Sequence, residues 1–103
     1  MRVYRASLSE VAEAAKIIDE YYSIIGTILR DDQNQLKKYF DANAGVWLAL
    51  DGTNTVGCIA LWPLTARPSA CEVKRLYVRP SHRGIGIADA LMDALEAYAL
   101  LQG

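Results

Sequence analysis

The stretch ACEVKRLYVRPSHRGIGIADAL, Ala70 to Leu91, decides the fold. Its first half has the composition of a strand, with β-branched and aromatic residues that suit a pleated surface. Plain alternation places Val73, Arg75 and Tyr77 on one face and Glu72, Lys74, Leu76 and Val78 on the other. Pro80 stops the strand, because it cannot donate to a ladder. After it come Ser81, His82 and Arg83, then Gly84, Ile85 and Gly86. An amphipathic run follows, with Ile87, Leu91, Leu95 and Tyr98 at helical spacing. A strand thus delivers a glycine loop into a helix start. The glycines let the backbone curl tightly and converge several N–H groups, and the helix adds its unpaired N–H groups and positive dipole end. That combination suits an anion, with the Arg83 guanidinium available as forked donors. The same composition also serves as a bland strand-to-helix turn. A dinucleotide fingerprint is excluded, since Asp89 stands where the third glycine belongs, and a phosphate-loop motif is excluded because no Gly-Lys-Ser/Thr is present.

The stretch resembles the GNAT superfamily of acyl-CoA-dependent N-acetyltransferases. The family signature, Arg or Gln, two residues, Gly, one residue, Gly or Ala, is matched by Arg83, Gly86 and Ala88, and VKRLYVRP is similar to the family's fourth strand. The resemblance implies an acetyl-CoA cosubstrate. It places Leu76 N–H toward the thioester carbonyl and Val78 N–H toward pantetheine, with Tyr77 between them. It gives the pyrophosphate to the backbone of Arg83, Gly84, Ile85, Gly86, Ile87 and Ala88. Glu72, six residues before Val78, stands where histone-acetylating members carry their general base; a solvated or salt-bridged strand glutamate is the competing reading.

Outward from this stretch, the other elements follow in order. Arg2 to Ala6 reads as a short strand. Ser7 and Glu10 form a capping box, and Leu8, Val11, Ala14, Ala15, Ile18, Tyr21, Tyr22 and Ile25 trace an apolar helical stripe to Gly26. A weaker helix begins at Asp31 and Asp32 and carries Leu36, Tyr39 and Phe40. Gly45 to Leu50 and Thr55 to Leu61 read as strands around the hairpin signal Asp51-Gly52-Thr53-Asn54. The second of these is nearly all apolar and is expected at the centre. The predicted order is β-α-α-β-β-β-α, an α/β (α+β) fold with a mixed, mostly antiparallel sheet and flanking helices.

At 103 residues, 52% of them hydrophobic, the chain suffices for one domain with a core, residues 1–103. A net charge of -1 excludes the basic field of a nucleic-acid binder. No apolar run suggests a signal peptide or a membrane span, and the cytoplasm is the expected location. Cys58 and Cys71 lack metal-ligand spacing, so no metal is expected and both read as buried, reduced thiols. His82 reads as a solvent-facing loop residue. Tyr21, Tyr22 and Trp47 read as core aromatics, while the resemblance implies that they border an acceptor pocket. Asp89, Asp93 and Glu96 read as the wet face of the last helix.

The resembling domains continue past their third helix with further strands, so the resemblance implies an incomplete GNAT fold. The expected function is acetyl transfer from acetyl-CoA to a primary amine by direct attack, with a small-molecule or peptide acceptor, in a homodimer or a longer chain. The alternative is a truncated, non-catalytic module acting by CoA binding or through its open strand edge.

Overall fold

The computed structural model describes residues 1–25, 37–40, 44–63 and 71–102, and their side chains apart from those of 25, 63, 71–75 and 102. Four strands, β1 (Arg2–Arg5), β2 (Gly45–Asp51), β3 (Asn54–Pro63) and β4 (Cys71–Val78), form one sheet in the order β1-β2-β3-β4, every pairing antiparallel. Helix α1 (Val11–Ile25) and helix α2 (Ile87–Gln102) are its long helices. A 3₁₀ turn, Leu8–Glu10, leads into α1. The Ser7 N–H donates to Glu10 Oε1 at 3.0 Å, the expected capping contact. The helix expected from Asp31 is described only at its end, where Lys37–Phe40 is a 3₁₀ turn with Tyr39 buried. Gly26 and residues 27–36 lie outside the described residues.

The apolar composition of β2 and β3 has a direct cause: both strands are buried on both faces. On one face Ala14, Ile17 and Ile18 of α1 pack with Val46, Leu48, Cys58, Ala60 and Tyr77. On the other Ile87, Leu91 and Leu95 of α2 pack with Trp47, Ala49, Ile59, Leu61 and Val78. Alternation along each strand feeds successive residues to opposite layers, so one sheet closes two cores. Each fully buried Leu or Ile contributes on the order of 1.5–3 kcal/mol relative to exposure. The β2–β3 turn is tight: Asp51 registers with Asn54, and Gly52 takes φ +62°. Trp47, expected at the core or at an acceptor pocket, is a core residue, buried against Tyr98 with ring centroids 5.4 Å apart.

Plain alternation fails in β4. Cys58 registers with Tyr77, but Ala60 registers with Lys74, so three steps along β4 oppose two along β3. The extra residue is a β-bulge, and it shifts every earlier register position by one against plain alternation. The register positions of Glu72 and Lys74, opposite Trp62 and Ala60, therefore belong to the α1 face with Tyr77. Val78 belongs to the α2 face. The shared face expected for Glu72, Leu76 and Val78 is corrected accordingly.

Candidate functional site

The C-terminal end of β4 opens onto a cleft of about 450 Å³ lined by Tyr21 and Ile24 of α1, Leu76, Tyr77 and Val78 of β4, and residues 82–84 and 86–89 of the loop and α2. Most of the expected cofactor-binding residues therefore converge on one concave surface: Leu76, Tyr77, Val78, Arg83, Gly84, Gly86, Ile87 and Ala88. Ile85 sits at the loop's tip, 65% exposed. Glu72 lies further back on β4, with its side chain outside the description.

Two glycines shape the loop. Gly84 and Gly86 have φ +81° and +89°, a conformation that side-chain-bearing residues rarely adopt. Gly86 is the helix N-cap: its carbonyl accepts the Ala90 N–H at 3.0 Å, the first bond of α2. The N–H groups of Ile87, Ala88 and Asp89 consequently have no partner within the helix and point out of its N-terminus, beside the cleft. Alternating left-handed residues next to a helix start form a concave array of backbone donors. Asp89, expected on the wet face, is exposed but also lines this cleft, bringing a carboxylate to the same place.

The strand supplies one further donor. Arg79 N–H donates to Val56 O at 2.8 Å, and Val78, one residue back, registers with Gly57. In an antiparallel ladder successive residues turn their polar groups to opposite sides. The Val78 N–H and C=O therefore face away from β3, along the sheet's β4 edge. The Val78 carbonyl accepts Arg83 Nε at 2.8 Å, and the Arg83 guanidinium lies over the Tyr77 ring, 5.9 Å from its centroid. Arg83 thus fastens the loop to the strand end.

His82 is not the solvent-facing residue expected. Its side chain is 23% exposed, with Nε2 3.0 Å from Asp51 Oδ2 of the hairpin and Nδ1 2.8 Å from Ser81 Oγ. The loop is thereby tied to the β2–β3 turn as well as to β4.

Sequence reasoning missed Glu20. The Tyr77 hydroxyl donates to Glu20 Oε2 at 2.7 Å, and Arg79 Nε donates to both carboxylate oxygens at 2.9 and 3.1 Å. Burial raises the Glu20 carboxyl's affinity for a proton, but the Tyr77 and Arg79 hydrogen bonds outweigh it and hold the pKa below the ordinary 4.5. Burial and the bond to Glu20 push the Tyr77 phenol up to about 12. A partial signal existed: Glu20 departs from the apolar stripe of α1 at its margin, one residue before Tyr21. Its partners lie 57 and 59 residues away, a separation no local pattern reveals.

A four-stranded antiparallel sheet with a glycine loop opening onto a helix start at its last strand is the architecture of solved acetyltransferases. A putative GNAT family acetyltransferase from Staphylococcus aureus superposes with a TM-score of 0.83 at 16% identity, covering 99% of this chain and 93% of its own. The Mycobacterium tuberculosis protein Rv2747, solved in complex with CoA and NLQ, gives 0.75 at 25% identity, covering 99% and 59%. The family model for the acetyltransferase (GNAT) family matches residues 11–103, and the chain belongs to that family. Among curated relatives, N-acetyltransferase 8F1 of Rattus norvegicus is 36% identical over 77% of this chain and 38% of its own length. An uncharacterized N-acetyltransferase of Schizosaccharomyces pombe is 33% identical over 81% of this chain and 55% of its own. The chain thus spans about two fifths to just over half the length of these relatives.

Proposed function

We propose that this chain carries the acyl-CoA-binding part of an N-acetyltransferase that moves an acetyl group from acetyl-CoA to a primary amine. The observation that carries the reading is the loop with two left-handed glycines, set between an outward-facing strand N–H at Val78 and the open N-terminus of α2. A diphosphate matches that array of backbone donors, and the apolar walls formed by Leu76, Tyr77, Val78 and Ile24 match a pantetheine arm.

In the proposed reaction the neutral amine attacks the thioester carbonyl carbon, the C–N bond forms, and the C–S bond breaks. The sulfur leaves with the bonding electron pair, the nitrogen gives up one proton as it becomes an amide, and the thiolate takes up one, so the exchange balances. Leu76 N–H steadies the carbonyl oxygen as charge develops on it, and Val78 N–H holds the pantetheine amide. Glu72 accepts the ammonium proton through water before attack. Tyr77 is excluded as the acid for the thiolate, because its hydroxyl already donates to Glu20 and its proton is held at a pKa of about 12. The acceptor is a small-molecule or peptide amine.

A second reading is favoured by the position of β4 at the end of the described sheet. An unpaired strand edge is a template for another strand, from a second copy or from elsewhere in a longer protein, and a module using it that way needs no chemistry. Calorimetric titration of acetyl-CoA, with sedimentation of the same sample, separates the two. Micromolar binding supports the transferase reading; a folded protein that binds no acetyl-CoA refutes it and leaves the module.

A further inference from the structure

Helix α1 and the end of β4 meet at Glu20. It stands on α1, a half-buried carboxylate with its side chain 35% exposed, and grips Tyr77 within β4 and Arg79 just beyond it. Its immediate neighbour Tyr21 lines the cleft and lies against Tyr77, ring centroids 5.9 Å apart. One turn further along the same helix, Ile24 also lines the cleft. These two partners, Tyr77 and Arg79, flank Val78, whose N–H faces the β4 edge. Hydrophobic burial is non-directional, whereas a carboxylate held by a phenol and a guanidinium fixes both distance and direction.

We propose that Glu20 is a positioning residue of the acyl-CoA cleft, holding α1 at a set spacing and angle over the end of β4 so that the Tyr21 and Ile24 wall stands opposite Leu76 and Val78. Glu20 itself does not line the cleft, and it acts through Tyr77 and Arg79. The inference rests on the acyl-CoA reading above. Its chemistry is specific: the Tyr77 bond needs an acceptor at Oε2, and the Arg79 pair needs the negative charge. Glu20→Gln therefore keeps an acceptor for Tyr77 and loses the charge, whereas Glu20→Ala loses both.

The test measures acetyl-CoA dissociation constants by calorimetry and Tm by circular dichroism for the wild type, Glu20→Gln, Glu20→Ala, Tyr77→Phe and the pair Glu20→Ala/Tyr77→Phe. The solvent-facing Glu13→Ala, on the same helix and paired with Lys16 at 3.4 Å, serves as control. Glu20→Ala is expected to weaken binding about tenfold, as loss of a charged hydrogen-bond partner implies, and Glu20→Gln by less. The double variant is expected to be no weaker than the sum of its parts predicts, and measurably stronger, because the two side chains act as one unit. Glu13→Ala should leave the dissociation constant unchanged. Equal affinity in the wild type and Glu20→Ala, or a loss that only tracks the unfolded fraction, overturns the positioning role. Failure of the folded wild type to bind acetyl-CoA overturns the acyl-CoA reading and this inference with it, so the two failures are told apart by the wild-type titration.

Discussion

Replacing Gly86 by alanine tests the anion loop where its geometry is most demanding. Gly86 has φ +89°, and a Cβ built there meets nothing within 4 Å. No clash contributes, so the cost is alanine's own reluctance to adopt a left-handed backbone, about 1–2 kcal/mol. In a chain of 103 residues, where 1 kcal/mol moves Tm by roughly 4–8 °C, retention of the native loop predicts a Tm lower by about 4–16 °C. The loop has one alternative. If residue 86 relaxes to negative φ, the stability loss shrinks, but the carbonyl leaves its 3.0 Å bond with Ala90 N–H and the helix N-terminus no longer faces the cleft. Acetyl-CoA binding then falls by tenfold or more, about 1.4 kcal/mol, because the same strain has been moved from the protein to the complex. Circular dichroism melts and calorimetric titration on one sample read both quantities. Gly52→Ala provides a comparison, since φ +62° with open space beyond it imposes the same strain in the hairpin. An unchanged Tm together with unchanged affinity for Gly86→Ala would refute the reasoning, for the strain would then be nowhere.

Other expectations follow from particular contacts. Asp89→Asn removes a carboxylate from the cleft beside the helix N-terminus, and should tighten acetyl-CoA binding severalfold at low ionic strength, an effect that fades with added salt; weaker binding would show that Asp89 assists the site. Glu72→Gln should lower turnover while leaving acetyl-CoA affinity intact, with the acidic limb of the pH–rate profile lost; a profile identical to wild type excludes it as the base. Gly57→Ala brings a Cβ to 3.1 Å from the Tyr77 carbonyl and 3.3 Å from Leu91 Cδ1, so the α2 layer and β4 must give way, and a lower Tm is expected by thermal melt. The Glu20 network sets two pH limits. Because the Glu20 pKa is depressed, its contribution is present above 4.5 and is lost as pH falls through the lower folded value. Because the Tyr77 pKa is raised to about 12, its contribution is full below about 10 and is lost between 10 and 12. The Tm difference between wild type and Glu20→Gln should therefore narrow at both extremes, and a constant difference from acid to alkali would contradict the network.

Much of this architecture was legible because short-range rules set it. The Ser7–Glu10 cap, the Asp51–Asn54 turn, the apolar centre formed by β2 and β3, and the glycine loop entering α2 all depend on neighbours within a few residues. The cleft's lining was legible for the same reason, since Leu76 to Ala88 is nearly continuous in the chain. What stayed hidden depends on pairings across long separations. The bulge in β4 is defined only by its register with β3, and Glu20 acquires its role only when α1 is laid over Tyr77. His82 looked free because Asp51, its partner, lies 31 residues earlier.

The bulge in β4 also bears on how this strand tolerates insertion and deletion. Removing one residue from positions 75–76 would leave two steps of β4 against two of β3, restoring a regular ladder. Such a deletion is expected to preserve the pairing of Lys74 with Ala60 and of Glu72 with Trp62, to ease the strand's local twist, and to leave each register position from 71 to 74 on the side of the sheet that its partner sets. A deletion one step earlier, within positions 72–74, would instead keep the bulge and move every preceding residue to its neighbour's partner, so the strand absorbs the loss of a residue at one point and not at the next.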